Sequence, residues 1–367
     1  MQRYFILLFA FAFMACESRQ SSTKDFNTNL DEYFASLFKA DEPGAAIRIL
    51  KNNEEIFSGY YGLADLQTKE KITASTLFNL GSISKPFVAY GILILRDEEK
   101  LSLGDPLSKY FADFKNPAIA DKVKIKHLLT HTSGLPDLRK VQEEFEFYLS
   151  AKDAENWAPI MHADDLLFEP GTQYDYSNPA FNALALIIEQ LSDMPWQQFI
   201  ATRIFNPAGM HSSTITDGPH PQQGVAHAYE KVADVWQELD YGEEPTFSAA
   251  GNGGVWSSVN ELQLFEQALQ QALFISAASV QESRSVQKPD NWQAEHTPFI
   301  GWSWFIENTS SGLQSIGHTG TQGGFYCHYV YLPESDILYI VLANRIYPRE
   351  ASFEYILTQL ENFNWLE

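Results

Sequence analysis

Strand-forming segments crowd the two ends of this chain and helix-forming segments fill its middle, and no other feature restricts its fold so much. Near the start, Ala45–Leu50 and Ile56–Gly62 read as strands joined by the turn-forming Lys51-Asn52-Asn53-Glu54-Glu55. Near the other end, Gly253–Ser258, Ile300–Glu307, Gly324–Leu332 and Ile337–Asn344 read as strands, the last two joined by Pro333-Glu334-Ser335-Asp336. Helical spacing of apolar residues flanks both sets, at Leu30, Tyr33, Phe34, Leu37 and Phe38 and again at Phe353, Ile356, Leu357 and Leu360. Lone hairpins are not stable in water, so the two sets are expected to form one sheet. From about Leu103 to Tyr241 the pattern is helices and loops, broken at 134–136, 169–171 and 206–207, with its clearest helix at Phe181–Leu191. The expected fold class is α/β (α+β): an antiparallel sheet built from both chain ends, flanked by terminal helices, with an all-helical inserted lobe at about 103–241. A ligand belongs in the cleft between the lobes.

Composition supplies the core for such a body. Of 367 residues, 45% are hydrophobic and 14% aromatic, which argues against disorder and for one large domain or two intimate ones. The formal net charge of −22 repels nucleic acid and anionic headgroups, so neither is an expected partner.

The first residues have the character of an export signal. Arg3 precedes an apolar run from Tyr4 to Ala15, too short to span a bilayer and suited to a signal-peptide core. Phe13-Met14-Ala15-Cys16 resembles a bacterial lipobox, with Phe13 in place of the usual leucine. The expected division is a signal peptide over 1–15, a lipid-carrying Cys16, a polar tether over 16–26, and a domain over 27–367. That makes the protein an exported periplasmic or cell-envelope lipoprotein, touching a membrane only through its anchor. Cys16 and Cys327 are the only cysteines, so a lipidated Cys16 leaves no disulfide. Cys327, inside an apolar-aromatic strand, is expected to be a small buried hydrophobe.

Three short motifs carry chemistry. Ser82-Ile83-Ser84-Lys85 sets a hydroxyl and an amine three positions apart at a helix start, on one helical face. A serine needs such a neighbour, because its own hydroxyl is a poor nucleophile. The pattern recurs at Ser21/Lys24, Ser36/Lys39 and Ser285/Lys288, so spacing alone does not single it out. Tyr176-Ser177-Asn178 is the only Y-x-N among 17 tyrosines, and His318-Thr319-Gly320 holds the only Thr-Gly. Together they form a working set: Ser82 attacks a carbonyl, Lys85 and Tyr176 relay its proton, and Asn178 orients either the lysine or a substrate amide. The strand from His318 offers backbone N–H groups to a developing oxyanion. The helix dipole and burial are expected to lower the Lys85 pKa, and the neighbouring cation to lower that of Tyr176. His127 and His131 sit four apart but lack the glutamate of H-E-x-x-H, so a structural role is expected rather than a metal pair. Asn252-Gly253-Gly254 reads as a tight turn near the cleft.

S-x-x-K, then Y-x-N, then [K/H]-T-G, in that order, resembles the signature of the penicillin-recognising serine enzymes, within them the class C β-lactamase and serine DD-peptidase family. The matching segments are Phe78–Lys85, Leu128–Pro136, Pro170-Gly171 through Tyr176-Ser177-Asn178, and His318-Thr319-Gly320. The resemblance spans roughly residues 30 to 360. It implies an acyl-enzyme on Ser82 and an oxyanion hole from the N–H groups of Ser82 and Thr321. It calls for no cofactor or metal, and for a small-molecule or peptide substrate. Where β-lactamases of the family usually carry lysine, this chain has His318, mostly neutral above about 6.5. That favours a DD-carboxypeptidase, D-aminopeptidase or esterase over a class C-like β-lactamase. A non-catalytic receptor for cell-wall peptides is the reading from another class.

Overall fold

The computed structural model describes residues 24–139, 150–218, 220–239 and 248–366. The expected signal peptide and Cys16 lie outside the described residues. Helix α1 occupies 24–37, followed by strands β1 (Ala45–Lys51) and β2 (Glu54–Tyr61). Helices α2 (Ser84–Asp97), α3 (Asn178–Ser192) and α4 (Val259–Gln270) come next. The chain closes with strands β3 (Phe305–Asn308), β4 (Gln314–Gln322), β5 (Phe325–Leu332) and β6 (Ile337–Ala343), then helix α5 (Arg349–Asn362).

The two strand sets do join. The six strands run β3-β4-β5-β6-β1-β2, and the seam is the antiparallel pair β6·β1, from Ala45 opposite Ala343 to Lys51 opposite Ile337. Side chains alternate between faces along a strand, so each strand feeds two cores. Ala45, Ile47 and Ile49 of β1 with Tyr339 and Val341 of β6 pack under α1 and α5, against Phe26, Leu30, Phe34, Ile356 and Leu360. Ala46, Leu50, Leu338, Ile340 and Leu342 face the other way, into the larger core with α2, α3 and α4. Burial on both faces explains why β6 reads as an unbroken apolar run instead of an alternating one. Tyr33 of α1 stacks on Tyr355 of α5 with ring centroids 4.1 Å apart, which ties the terminal helices together. Helix α2 is buried from Ser84 through Leu95 and forms the spine between sheet and helical lobe.

Several boundaries differ from expectation. The helix is already formed at residue 24, and Phe26 is fully buried against Phe363 and Trp365, so the last residues assigned to the tether belong to the core. The inserted lobe is not all helical. Thr214–Ile215 joins a three-stranded sheet with Phe78–Asn79 and Val255–Ser257, and Tyr229–Val232 pairs with Val235–Glu238. These strands are too short and too polar to give a period-2 signal. The strand expected from Gly253 begins only at Val255, after a single helical turn at Ala250–Gly253. The strand expected from Ile300 begins at Phe305.

Candidate active site

Ser82 lies in a one-turn 3-10 helix, Gly81–Ile83, that runs directly into α2. Donors in a first helical turn have no intrahelical acceptor, so the Ser82 N–H is available to a ligand. Pro86 falls in the first turn of α2 itself, where a proline is tolerated. The half-buried Ser82 hydroxyl faces a fully buried Lys85, with Nζ and Oγ 3.0 Å apart. Lys85 also donates to the Asn252 carbonyl at 2.9 Å. Burial, and then the guanidinium of Arg139, hold the amine well below the ordinary lysine range. Arg139 is fixed by Asp137 and by Asn156 Oδ1 at 2.9 Å.

Tyr176 is brought to the same place by the loop ahead of α3, its ring centroid 5.0 Å from Lys85 Nζ. His131 holds it there: the imidazole stacks on the phenol at 4.3 Å, and its Nδ1 accepts the Ser177 N–H at 3.0 Å. His131 and His127, whose Nδ1 accepts the Lys124 N–H at 3.1 Å, are thus structural, as expected. The Tyr176 hydroxyl is buried with no hydrogen bond of good geometry. Burial pushes its pKa well up, and the nearby Ser82 hydroxyl offsets this only in part. The expected lowering is therefore reversed. The cation that was to pull the phenol down is a desolvated amine, and desolvation disfavours the phenolate as well.

Asn178 opens α3, with Ser177 as its N-cap. Among the described contacts Lys85 bonds Ser82 and Asn252, not Asn178, so Asn178 does not orient the lysine.

The third motif borders the site as an open strand edge. Strand β3 pairs with Gln314–Gly317 of β4, and among the described residues no strand lies beside His318–Gln322 on that side. The β4–β5 hairpin closes through Gly323 and Gly324, both at positive φ, with Gln322 opposite Phe325 and Thr321 opposite Tyr326. In a two-residue hairpin the flanking pair exchanges hydrogen bonds and the next pair does not, so the Thr321 N–H points to the open edge. This edge sits directly on the nucleophile turn. A Cβ on Gly320 would lie 1.9 Å from the Leu80 carbonyl oxygen, and one on Gly81, at φ +52°, would lie 2.9 Å from the Thr321 nitrogen. Only two glycines allow that approach.

His318 is buried beside Phe305, with ring centroids 4.8 Å apart. Its Nδ1 lies 2.6 Å from the Thr319 carbonyl oxygen. A carbonyl only accepts, so the proton is on Nδ1 and Nε2 presents a lone pair, buried and without a partner. Burial pushes the pKa down to about 3, so His318 is neutral. A cation does border this edge: Arg349, at the start of α5, donates to Thr321 Oγ1 at 3.3 Å.

Arg349 and Arg139 were missed in the sequence because they lie in no motif. Asn252 was read as part of a turn near the cleft, as found, but not as a partner of Lys85, because it acts through its carbonyl, which every residue has. Cys327 is fully buried, as expected, with its thiol pushed up to about 12.

This arrangement can activate a hydroxyl beside two outward-facing backbone donors. Residues 26–361 match the family model described as Beta-lactamase. The chain is 29% identical to penicillin-binding protein 4* of Bacillus subtilis over 81% of its own length and 67% of that protein's. It is 26% identical to a beta-lactamase of Escherichia coli over 84% of its length and 86% of that protein's. In fold it is similar to the D-amino acid amidase of Ochrobactrum anthropi complexed with D-phenylalanine, with a TM-score of 0.76 and 21% identity over 93% of this chain and 99% of that one. The chain belongs to the beta-lactamase family of serine hydrolases.

Proposed function

We propose that this enzyme cleaves a peptide, amide or ester bond through an acyl-enzyme on Ser82, as a DD-carboxypeptidase, D-aminopeptidase or esterase. The observation that carries the reading is the fully buried amine of Lys85, held well below the ordinary lysine range, at 3.0 Å from Ser82 Oγ. Its lone pair takes the Ser82 proton as Oγ bonds to the substrate carbonyl carbon. The resulting oxyanion lies between the N–H groups of Ser82 and Thr321. Tyr176, held as a neutral phenol, passes a proton to the departing group as its bond to carbon breaks, and is reprotonated from Lys85. Water then enters by the same route in reverse and releases the acyl group. No step calls on a metal or organic cofactor.

Substrate class follows from His318 and the open edge. A neutral imidazole accepts a hydrogen bond through Nε2 and itself supplies no fixed cation for the carboxylate of a β-lactam, a charge that at this edge would have to come from Arg349. Asn178 and the edge at Thr319 and Gly320 are assigned to the substrate amide, which would lie along the strand like an added neighbour. One fold neighbour is named a D-amino acid amidase, which agrees with a D-configured amide, and one relative is named a beta-lactamase, which keeps that activity in the test. Side-by-side assay of p-nitrophenyl esters, D-Ala-D-Ala peptides, D-amino acid amides and nitrocefin tests this. The best ester, peptide or amide should exceed nitrocefin in kcat/KM by about tenfold or more. The opposite ranking would move the assignment to β-lactamase. Absence of acylation by every substrate would leave the receptor reading.

The same proposal places the enzyme outside the cytoplasm, tethered by lipid on Cys16. Support comes from Arg3, the apolar run to Ala15 and the small residue before Cys16. Full-length protein should partition into detergent and lose that behaviour in Cys16→Ala. Equal partitioning of both would refute the anchor.

A further inference from the structure

We propose that Asp153 is a positioning residue for Lys85, acting through the turn that carries Asn252. The inference rests on the reading of Lys85 as the base.

Asp153 begins a short helix, Asp153–Trp157, and is 6% exposed. Its carboxylate meets donors from three separate parts of the chain. Oδ1 accepts the Asn182 amide at 2.7 Å and the Gly251 N–H at 2.9 Å, and Oδ2 accepts the Trp196 indole N–H at 2.9 Å. Asn182 Oδ1 in turn accepts from Asn252 Nδ2 at 3.2 Å. The turn at Ala250–Gly253 is thereby held at both Gly251 and Asn252, and the Asn252 carbonyl is the second acceptor of Lys85. Ser82, Lys85, Asn252, Asn182 and Asp153 form one chain of contacts from the nucleophile into the helical lobe.

Donors surround this carboxyl and none of its contacts needs a proton from it, so the network is complete only with the anion. Burial raises its pKa to about 6, which leaves it mostly ionised at pH 7.5. A buried anion costs stability that an apolar side chain of similar volume would not. Packing alone therefore gives no reason for a carboxylate here, whereas fixing a backbone carbonyl against Lys85 does. The sensitivity is steep, because misplacing a catalytic group by about 1 Å can cost on the order of 10² in rate.

Asp153→Asn keeps the volume but turns an NH2 toward existing donors. With a fluorophosphonate probe on the full chain, kinact should fall by about 10- to 100-fold while KI stays within about threefold, since Asp153 touches no ligand. The melting temperature at pH 7.5 should not fall, because removing a buried charge offsets the lost indole bond. Asn252→Ala keeps the carbonyl but cuts the link to Asn182, and should lower kinact by about tenfold. Wild-type labelling that leaves kinact unchanged in Asp153→Asn would overturn the inference. So would a loss of labelling that only follows a loss of folded protein, with Asn252→Ala at the wild-type rate. Failure of the wild-type protein to label at Ser82 is a separate result, which removes the acyl-serine reading and this one together.

Discussion

Ser82→Ala is expected to lower turnover of an ester substrate on the order of 10⁶-fold, because nucleophile and base act as one unit and neither works alone. Among the described residues, neither Ser84 nor Cys327 can take over. Ser84 is fully buried, and its Oγ is occupied as acceptor of the Val255 N–H at 3.0 Å. Cys327 is fully buried and its thiol is pushed up to about 12, so almost no thiolate forms near neutral pH. Lys85 keeps its bond to Asn252, so the fold should lose no more than about 1 kcal/mol. Initial rates and intact mass after treatment with a fluorophosphonate check both statements. Variant turnover above about 1% of wild type would move the nucleophile elsewhere.

How much of this was readable beforehand depends on whether a role needs a side chain. Ser82, Lys85, Tyr176 and His318 were legible because the proposed nucleophile, proton relay and substrate contact are side-chain roles, and their order along the chain separates Ser82 from three chance repeats of its pattern. The sheet was legible where burial is complete: β6 is apolar on both faces, which only a strand between two cores can be. The second hairpin at Tyr229–Glu238 was not, since its strands are short, charged and mostly exposed. The support of Lys85 was hidden for a different reason. A backbone carbonyl at Asn252 has no signature in sequence, and Asp153, set in the polar stretch Ser150–Asn156, looks like surface. Its donors at 182, 196 and 251 come near it only after folding. One signal was present: Asn182 interrupts the apolar face of α3 between Phe181 and Leu184, and a buried amide there requires a partner. The Tyr176 phenol shows the limit of pairwise reasoning, since a neighbouring lysine lowers a pKa only while it holds its charge.

Lys85→Met is expected to lower kcat/KM by about 10²- to 10⁴-fold and at the same time to stabilise the protein at pH 7. The fold holds this amine fully buried and well below the ordinary lysine range, chiefly through desolvation. In the unfolded chain the amine stays protonated up to about 10.4. Between the two pKa values the unfolded state binds the extra proton, so wild-type stability rises with pH across that window and is reduced below it. Each unit of lowering costs about 1.4 kcal/mol. Methionine fills a similar volume without that cost; its penalty is the Asn252 carbonyl left unpaired, about 1–3 kcal/mol. The expected gain requires the cost of desolvating the amine to be the larger of the two. Thermal melts of both proteins from pH 7 toward 10 separate the two effects. The variant should melt higher at pH 7, and its advantage should shrink as the pH approaches the ordinary lysine range. A variant that melts lower at pH 7 with no pH-dependent gap would show that Lys85 is not a desolvated amine, and one that keeps a tenth of its activity would show that it is not the base. The expected pairing of lost catalysis with gained stability arises because an amine that must be neutral to take the Ser82 proton can be kept neutral only by a core that disfavours its charge.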